Sequence, residues 1–154
     1  MGTVRFYHLT RTPVDQTLAR LLRRALDAGL RVEVRGSDPE RLARLDERLW
    51  LVDEAEFLPH GLAGTETDDR QPVLLTQAAE PASHTACVMA VDGAEVAADQ
   101  IGRLDRTFIL FDGLDGDALA HARAQWKTLT AAGVHAEYWS EESGRWEKKA
   151  ETGS

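Results

Sequence analysis

The chain has 154 residues, 43% of them hydrophobic and 29% charged, with a formal net charge of -8. That composition suits one soluble domain around a single core, and two domains would be cramped. The acidic balance excludes the broad basic surface that non-specific duplex binding needs, and no run approaches the roughly 18 to 20 apolar residues of a membrane-spanning helix.

"TVRFYHL" (residues 3–9) mixes β-branched and aromatic residues in a short apolar run and predicts a first strand, ended by a turn at "TRTP". From Val14, the residues Leu18, Leu21, Leu22, Ala25 and Leu26 fall on one helical face, with Gly29 as the C-terminal stop. "RVEV" (31–34) predicts a second strand. Ser37 and Glu40 stand at capping-box spacing with Pro39 in the first turn, so a second helix starts there and buries Leu42, Leu45 and Leu49.

"LWLVDEAEFLPHGLAG" (49–64) leaves that helix still carrying Trp50, Leu51, Val52, Phe57 and Leu58, a large apolar load for a loop. Either the aromatics fold back to cap the sheet edge or they form an exposed patch for a protein partner. "AGTETDDRQP" (63–72) is the expected mobile loop. "VLLT" (73–76) and "ACVMAV" (86–91) are continuous apolar runs suited to strands covered on both faces. A short helix from Val96 to Leu104, a strand "TFILF" (107–111), the longest helix from Asp115 to Ala132 and a last strand "VHAEYW" (134–139) complete the order. This succession predicts a single α/β domain over residues 1–149, a mainly parallel open sheet with helices on both faces. "KKAETGS" is expected to fray, with residues 150–154 a flexible C-terminal tail.

Ligands of parallel α/β sheets usually bind at the carboxyl ends of the strands. The turn after the first strand, "TRTPVDQT", holds no glycine, and neither G-x-G-x-x-G nor G-x-x-x-x-G-K-[ST] occurs in the chain. The histidines His8, His60, His84, His121 and His135 are scattered, and the metal-like spacing of His84 and Cys87 lacks a second pair. Cys87, the single cysteine, lies in an apolar run and reads as a small buried hydrophobe in a reducing compartment. Asp112, Asp115 and Asp117 follow a strand end, where a metal or phosphoryl site could form, but acids equally suit the positive end of the next helix. No catalytic residue, metal or cofactor is expected, and an enzyme reading rests on fold analogy alone. Met1 leads directly into strand-like sequence with no signal-peptide h-region, which predicts a cytoplasmic protein.

Charge is uneven along the chain. Residues 38–70 hold four arginines against ten acids, whereas residues 118–149 hold five basic residues against four acids. In that second region "RAQWK" (123–127) puts Arg123 and Lys127 one helical turn apart with Trp126 beside them. Like charges at this spacing cost a few tenths of a kcal/mol in an isolated helix. They either solvate the helix and complement its C-terminal dipole, or grip a carboxylate while the indole receives an apolar side chain. Further cations follow at Arg145, Lys148 and Lys149.

"RFYHL", "LDERLWLVDEAEFLPHGLAG" and "ARAQWKTLTAAGVHAEYW", in that order, resemble the chi subunit family of bacterial DNA polymerase III holoenzyme over roughly Val4 to Trp146. The terminal "YWSEESGRWEKKA" is similar to the alphaproteobacterial version. The resemblance implies a Rossmann-like fold and a non-catalytic accessory subunit that connects the clamp loader to single-stranded-DNA-binding protein, SSB. It implies that Arg123, Trp126 and Lys127 receive the acidic C-terminal tail of SSB, which ends in a hydrophobic residue and a free carboxylate. Leu119 stands about where family members often carry a further basic residue. Trp50, Phe57, Pro59 and His60 match the region by which some members bind the clamp-loader side, through the psi subunit or its replacement. Strong direct DNA binding is not expected of the chain itself. Two alternatives stay open: an interaction module for another replication or repair protein such as a helicase, using the same aromatic surface, and a degenerate nucleotide-binding α/β enzyme.

Overall fold

The computed structural model describes residues 2–51 and 58–152. In chain order these form β1 (Thr3–Leu9), α1 (Val14–Asp27), β2 (Val32–Arg35), α2 (Pro39–Leu51), β3 (Gly61–Leu62), β4 (Val73–Thr76), β5 (Cys87–Ala90), α3 (Ala98–Arg103), β6 (Arg106–Asp112), α4 (Gly116–Ala131), β7 (His135–Ser140) and β8 (Glu147–Thr152). The strands make one sheet in the order β3-β4-β2-β5-β6-β1-β7-β8. The ladders from β3 through β7 are parallel, and β8 alone runs antiparallel, against β7.

Alternation along each strand feeds two cores. Val4 and Phe6 of β1 point toward α3 and α4, packing with Ile101, Ala122 and Leu129. Tyr7 and Leu9 point the other way, into the core that α1 and α2 close with Leu18, Leu22, Leu42 and Leu49. Each fully buried aliphatic side chain in these stripes contributes about 1.5 to 3 kcal/mol relative to exposure. The chain is thus a single mainly parallel α/β layer with helices on both faces, as the apolar runs predict.

Four details depart from the sequence expectation. The Ser37–Glu40 capping box does not form: Asp38 accepts the Glu40 N–H at 2.9 Å, and Ser37 Oγ donates instead to the Asp92 carbonyl at 2.5 Å. A carboxylate one residue nearer the helix outcompetes the hydroxyl for the exposed amide. The segment 63–72, expected to be a loose loop, folds around Asp68, whose carboxylate accepts the N–H groups of Gly64 at 2.9 Å and Thr65 at 3.0 Å. Those two backbone bonds hold the Asp68 carboxyl below its usual range. A two-residue strand, β3, pairs beside β4 where no strand was expected.

The fourth departure is the C-terminus. The expected tail from residue 150 is part of a strand, because Ala150, Glu151 and Thr152 pair with Tyr138, Glu137 and Ala136. Trp146 anchors the return, its ring 5.0 Å from that of Tyr7, and Gly144 turns the hairpin at a φ of 95° that L side chains rarely adopt.

On the α3/α4 face of β2 lies a buried polar row. Glu33, 2% exposed, accepts from Arg31 Nη1 at 2.9 Å, Thr85 Oγ1 at 2.5 Å and the Ala82 N–H at 2.8 Å. Arg31 Nη1 also donates to Thr85 Oγ1. Arg35, 3% exposed, donates to Gln100 Oε1 and the Glu95 carbonyl, both at 2.9 Å. The row ties the connection 77–86 down against the sheet.

Candidate functional site: a cationic, aromatic-walled pocket at the sheet edge

The helix α4 buries Ala122 and Leu129 over the sheet, which leaves Arg123, Trp126 and Lys127 on the flank nearest β7 and β8. Asp115 starts this helix by accepting the N–H groups of Asp117 and Ala118, which gives the acidic run after β6 its role as a cap. Beneath the flank lies Phe6, fully buried, with the Trp126 ring edge-on at 5.3 Å and Tyr138 stacked at 6.4 Å. Trp126 and Tyr138 meet edge to face at 5.8 Å. Such pairs fix ring orientation beyond simple burial.

Tyr138 Oη meets His8 Nδ1 at 3.0 Å, and the His8 ring stacks on Phe111 at 5.2 Å. Gly113 is required behind it, since a Cβ there would stand 1.8 Å from the imidazole Cδ2. Burial pushes the Tyr138 phenol up from its ordinary pKa, with the positive charge of Arg123 opposing. The phenol therefore stays neutral and available as a hydrogen-bonding group at the pocket floor.

The resulting pocket has a volume of about 580 Å³ and is lined by the three predicted residues together with His8, Tyr138, Ser140, Glu142, Lys149 and Ala150. Among the described residues three cations against one carboxylate face it, in a chain whose net charge is -8. Among the described residues neither Arg123 nor Lys127 forms an ion pair within 4.0 Å. An open concavity with apolar aromatic walls and unpaired cations can bind a carboxylate attached to an apolar group. Sequence reasoning missed His8, Tyr138 and Ser140. Their only local signal is period-2 alternation on two strands whose adjacency the sequence does not state.

The second predicted surface is divided. Trp50, at the end of α2, is 44% exposed and lies 4.1 Å from the ring of His60, centroid to centroid. His60 is only 5% exposed, its ring nitrogens meeting the carbonyls of Leu58 at 2.7 Å and Asp46 at 2.9 Å. It lies buried against the Trp50 ring, whereas Trp50 itself is the exposed member of the pair. Pro59 is partly buried, Leu51 is 69% exposed, and Phe57 lies outside the described residues.

At the carboxyl end of β1, the kind of place where parallel α/β folds commonly hold ligands, the backbone N–H groups are taken by the chain itself. Glu141, 4% exposed, accepts the N–H groups of Thr10, Arg11 and Thr12 at 3.0, 2.8 and 2.7 Å and the Thr12 hydroxyl at 2.8 Å. Successive N–H groups of this kind form an anion-binding nest. Burial opposes ionisation, but these four bonds together outweigh it and hold the carboxyl below its usual range. Because the folded pKa is depressed, the stabilisation is complete above the ordinary carboxylate range and is lost as pH falls through the folded value. Glu141→Gln should cost about 1 to 3 kcal/mol at neutral pH. Urea unfolding at neutral and acid pH checks this: the variant should lose less stability on acidification than the parent.

Other ligand-like groups are already engaged. Cys87 is fully buried, with its thiol pushed up to about 12 by that burial, while His84 is exposed and meets the Asp69 carbonyl at 3.1 Å, so the His84–Cys87 spacing does not gather a site. His135, Glu137 and Glu151 bring ligand atoms within 4.8 Å of one another. They are held by Thr3 at 2.9 Å from His135, Arg5 at 3.2 Å and Trp139 at 2.9 Å from Glu137, and the 2.7 Å His135–Glu151 contact.

No helix among the described residues is long and apolar enough to cross a membrane. No curated protein sequence matches the chain. The model of one family, described as DNA polymerase III chi subunit, HolC, matches residues 1–137, which takes in β1 through the first half of β7 and the α4 flank with Arg123, Trp126 and Lys127. With most of its length matched and its α/β architecture in agreement, the chain belongs to the DNA polymerase III chi subunit family.

Proposed function

We propose that the protein is a non-catalytic, cytoplasmic adaptor of the replicative polymerase, which links the clamp loader to SSB by holding the acidic C-terminal tail of SSB in the pocket between α4 and the β7–β8 hairpin. The observation that carries this reading is the convergence of Arg123, Lys127 and Trp126 on one concavity of about 580 Å³ in which neither cation has an ion-pair partner among the described residues. The terminal carboxylate and acidic side chains of the tail meet the cations, and its last apolar side chain rests on Trp126 and Tyr138. The net charge of -8 opposes direct approach of a phosphate backbone, so association with single-stranded DNA runs through SSB.

The test is calorimetric titration with a synthetic acidic tail that ends in a hydrophobic residue with a free carboxylate, and then with the same peptide lacking that residue. Binding of the first and a large loss with the second is the expected result. Equal binding of both refutes the pocket.

Trp50 and Leu51 serve the clamp-loader side, through psi or its replacement. Aromatic interface anchors commonly cost about 2 kcal/mol or more on truncation. Trp50→Ala is therefore expected to weaken assembly by that amount while the melting temperature of the isolated protein stays nearly unchanged, because the residue is already 44% exposed. Unfolding of the isolated variant would instead make Trp50 a structural cap over His60.

A further inference from the structure

The β7–β8 ladder is irregular at the pocket. Tyr138 pairs with Ala150 and Trp139 pairs with Lys148, so Lys149 is an extra residue with no partner on β7. Regular alternation would send Lys149 and Ala150 to opposite faces. Both nevertheless line the pocket, whereas Lys148 does not and is held by Glu151 at 2.9 Å. A β-bulge re-aims side chains in this way. The family match ends at residue 137, so Tyr138, Ser140, Glu142, Lys149 and Ala150 come from chain beyond the matched segment.

We infer that the bulged strand β8 is a specificity element of the pocket, in which Lys149 reads an acidic side chain upstream of the carboxylate that Arg123 and Lys127 hold. This rests on the peptide-binding reading above. The occupant is an acidic peptide with a free C-terminus, long enough to extend from α4 across the face of β8. Among the described residues Lys149 is held only by an exposed contact with Glu147 Oε2 at 3.3 Å, at 47% side-chain exposure. Contacts of that kind contribute little, and an incoming carboxylate displaces them readily. Glu142, the one acid among the described residues that line the pocket, disfavours peptides whose negative charge is placed elsewhere.

The experiment compares Lys149→Ala, Lys148→Ala and Lys127→Ala in the full chain. Each is titrated with an acidic tail peptide and with the same peptide whose upstream aspartates are replaced by asparagine. Lys148→Ala removes the same charge from the neighbouring residue, outside the pocket, and so reports the long-range field alone. Lys149→Ala should weaken the acidic peptide about three- to tenfold more than Lys148→Ala does. It should also shrink the preference for aspartate over asparagine, since the pair is then already broken. Equal losses in the two variants, with Lys127→Ala still weakening binding, overturn the role of β8 and leave the pocket reading standing. Unchanged binding in Lys127→Ala overturns both. All three lysines are exposed, and a thermal melt of each variant checks that the fold is retained.

Discussion

Replacing Arg123 and Lys127 together by alanine is expected to abolish measurable binding of an acidic tail peptide without destabilising the protein. A charge-assisted hydrogen bond contributes about 1.5 to 3 kcal/mol, so each single replacement should weaken binding by about one to two orders of magnitude. Folding should barely change, because both side chains are exposed and neither forms an ion pair among the described residues. Relief of the like-charge contact along α4 can even add a few tenths of a kcal/mol. Added salt should lower the affinity of the parent, since a pocket open to a peptide is also open to counterions. Calorimetric titration at two ionic strengths, paired with thermal melts, reads all three quantities. Undiminished affinity in the double variant would reduce the two cations to solvation of a helix flank.

The cation pair was legible in the sequence because its signal is local: two basic residues one helical turn apart beside a tryptophan. The architecture was legible for the same reason. The apolar runs at 73–76 and 86–91 and the 3.6-residue stripes of α1, α2 and α4 each state their own burial. What was missed depends on contacts between distant segments. His8 and Tyr138 share a floor only because β1 and β7 are neighbours in the sheet. Lys149 faces the pocket only because of a bulge, and "EKKAET" offers no apolar alternation by which to predict a strand at all. An edge strand made of charges is nevertheless a sound protein edge, since it resists pairing with another chain. The Ser37 cap failed by competition from a carboxylate one residue away. His60 entered only through the family resemblance, and the sequence holds no sign that it is buried against Trp50 with its ring nitrogens on two backbone carbonyls.

The polar row on β2 was equally hidden, because "RVEV" reads as an ordinary strand, and it yields the largest stability effect expected of a single substitution. Glu33→Ala removes the acceptor shared by Arg31, Thr85 and the Ala82 N–H, at a site only 2% exposed. Arg31, with 10% of its side chain exposed, then keeps its charge with only neutral partners among the described residues: the Thr85 hydroxyl and the carbonyls of Gln71 and Asp68, the last two at 3.1 and 2.9 Å. Breaking one side of a buried pair costs about 3 to 5 kcal/mol, chiefly because the remaining charge stays desolvated. That is a large share of the roughly 5 to 15 kcal/mol by which a domain of this kind is stable. Urea unfolding should show the midpoint falling by that amount with the slope unchanged. Amide exchange should quicken first at Ala82 and along 77–86, where the connection loses its anchor. Replacing both partners, Glu33→Leu with Arg31→Met, should recover part of the loss, because Arg31 then leaves no charge behind, while buried Arg35 still loses the nearby Glu33 carboxylate. If Glu33→Ala costs less than about 1 kcal/mol, water reaches the row and the segment 77–86 does not seal it.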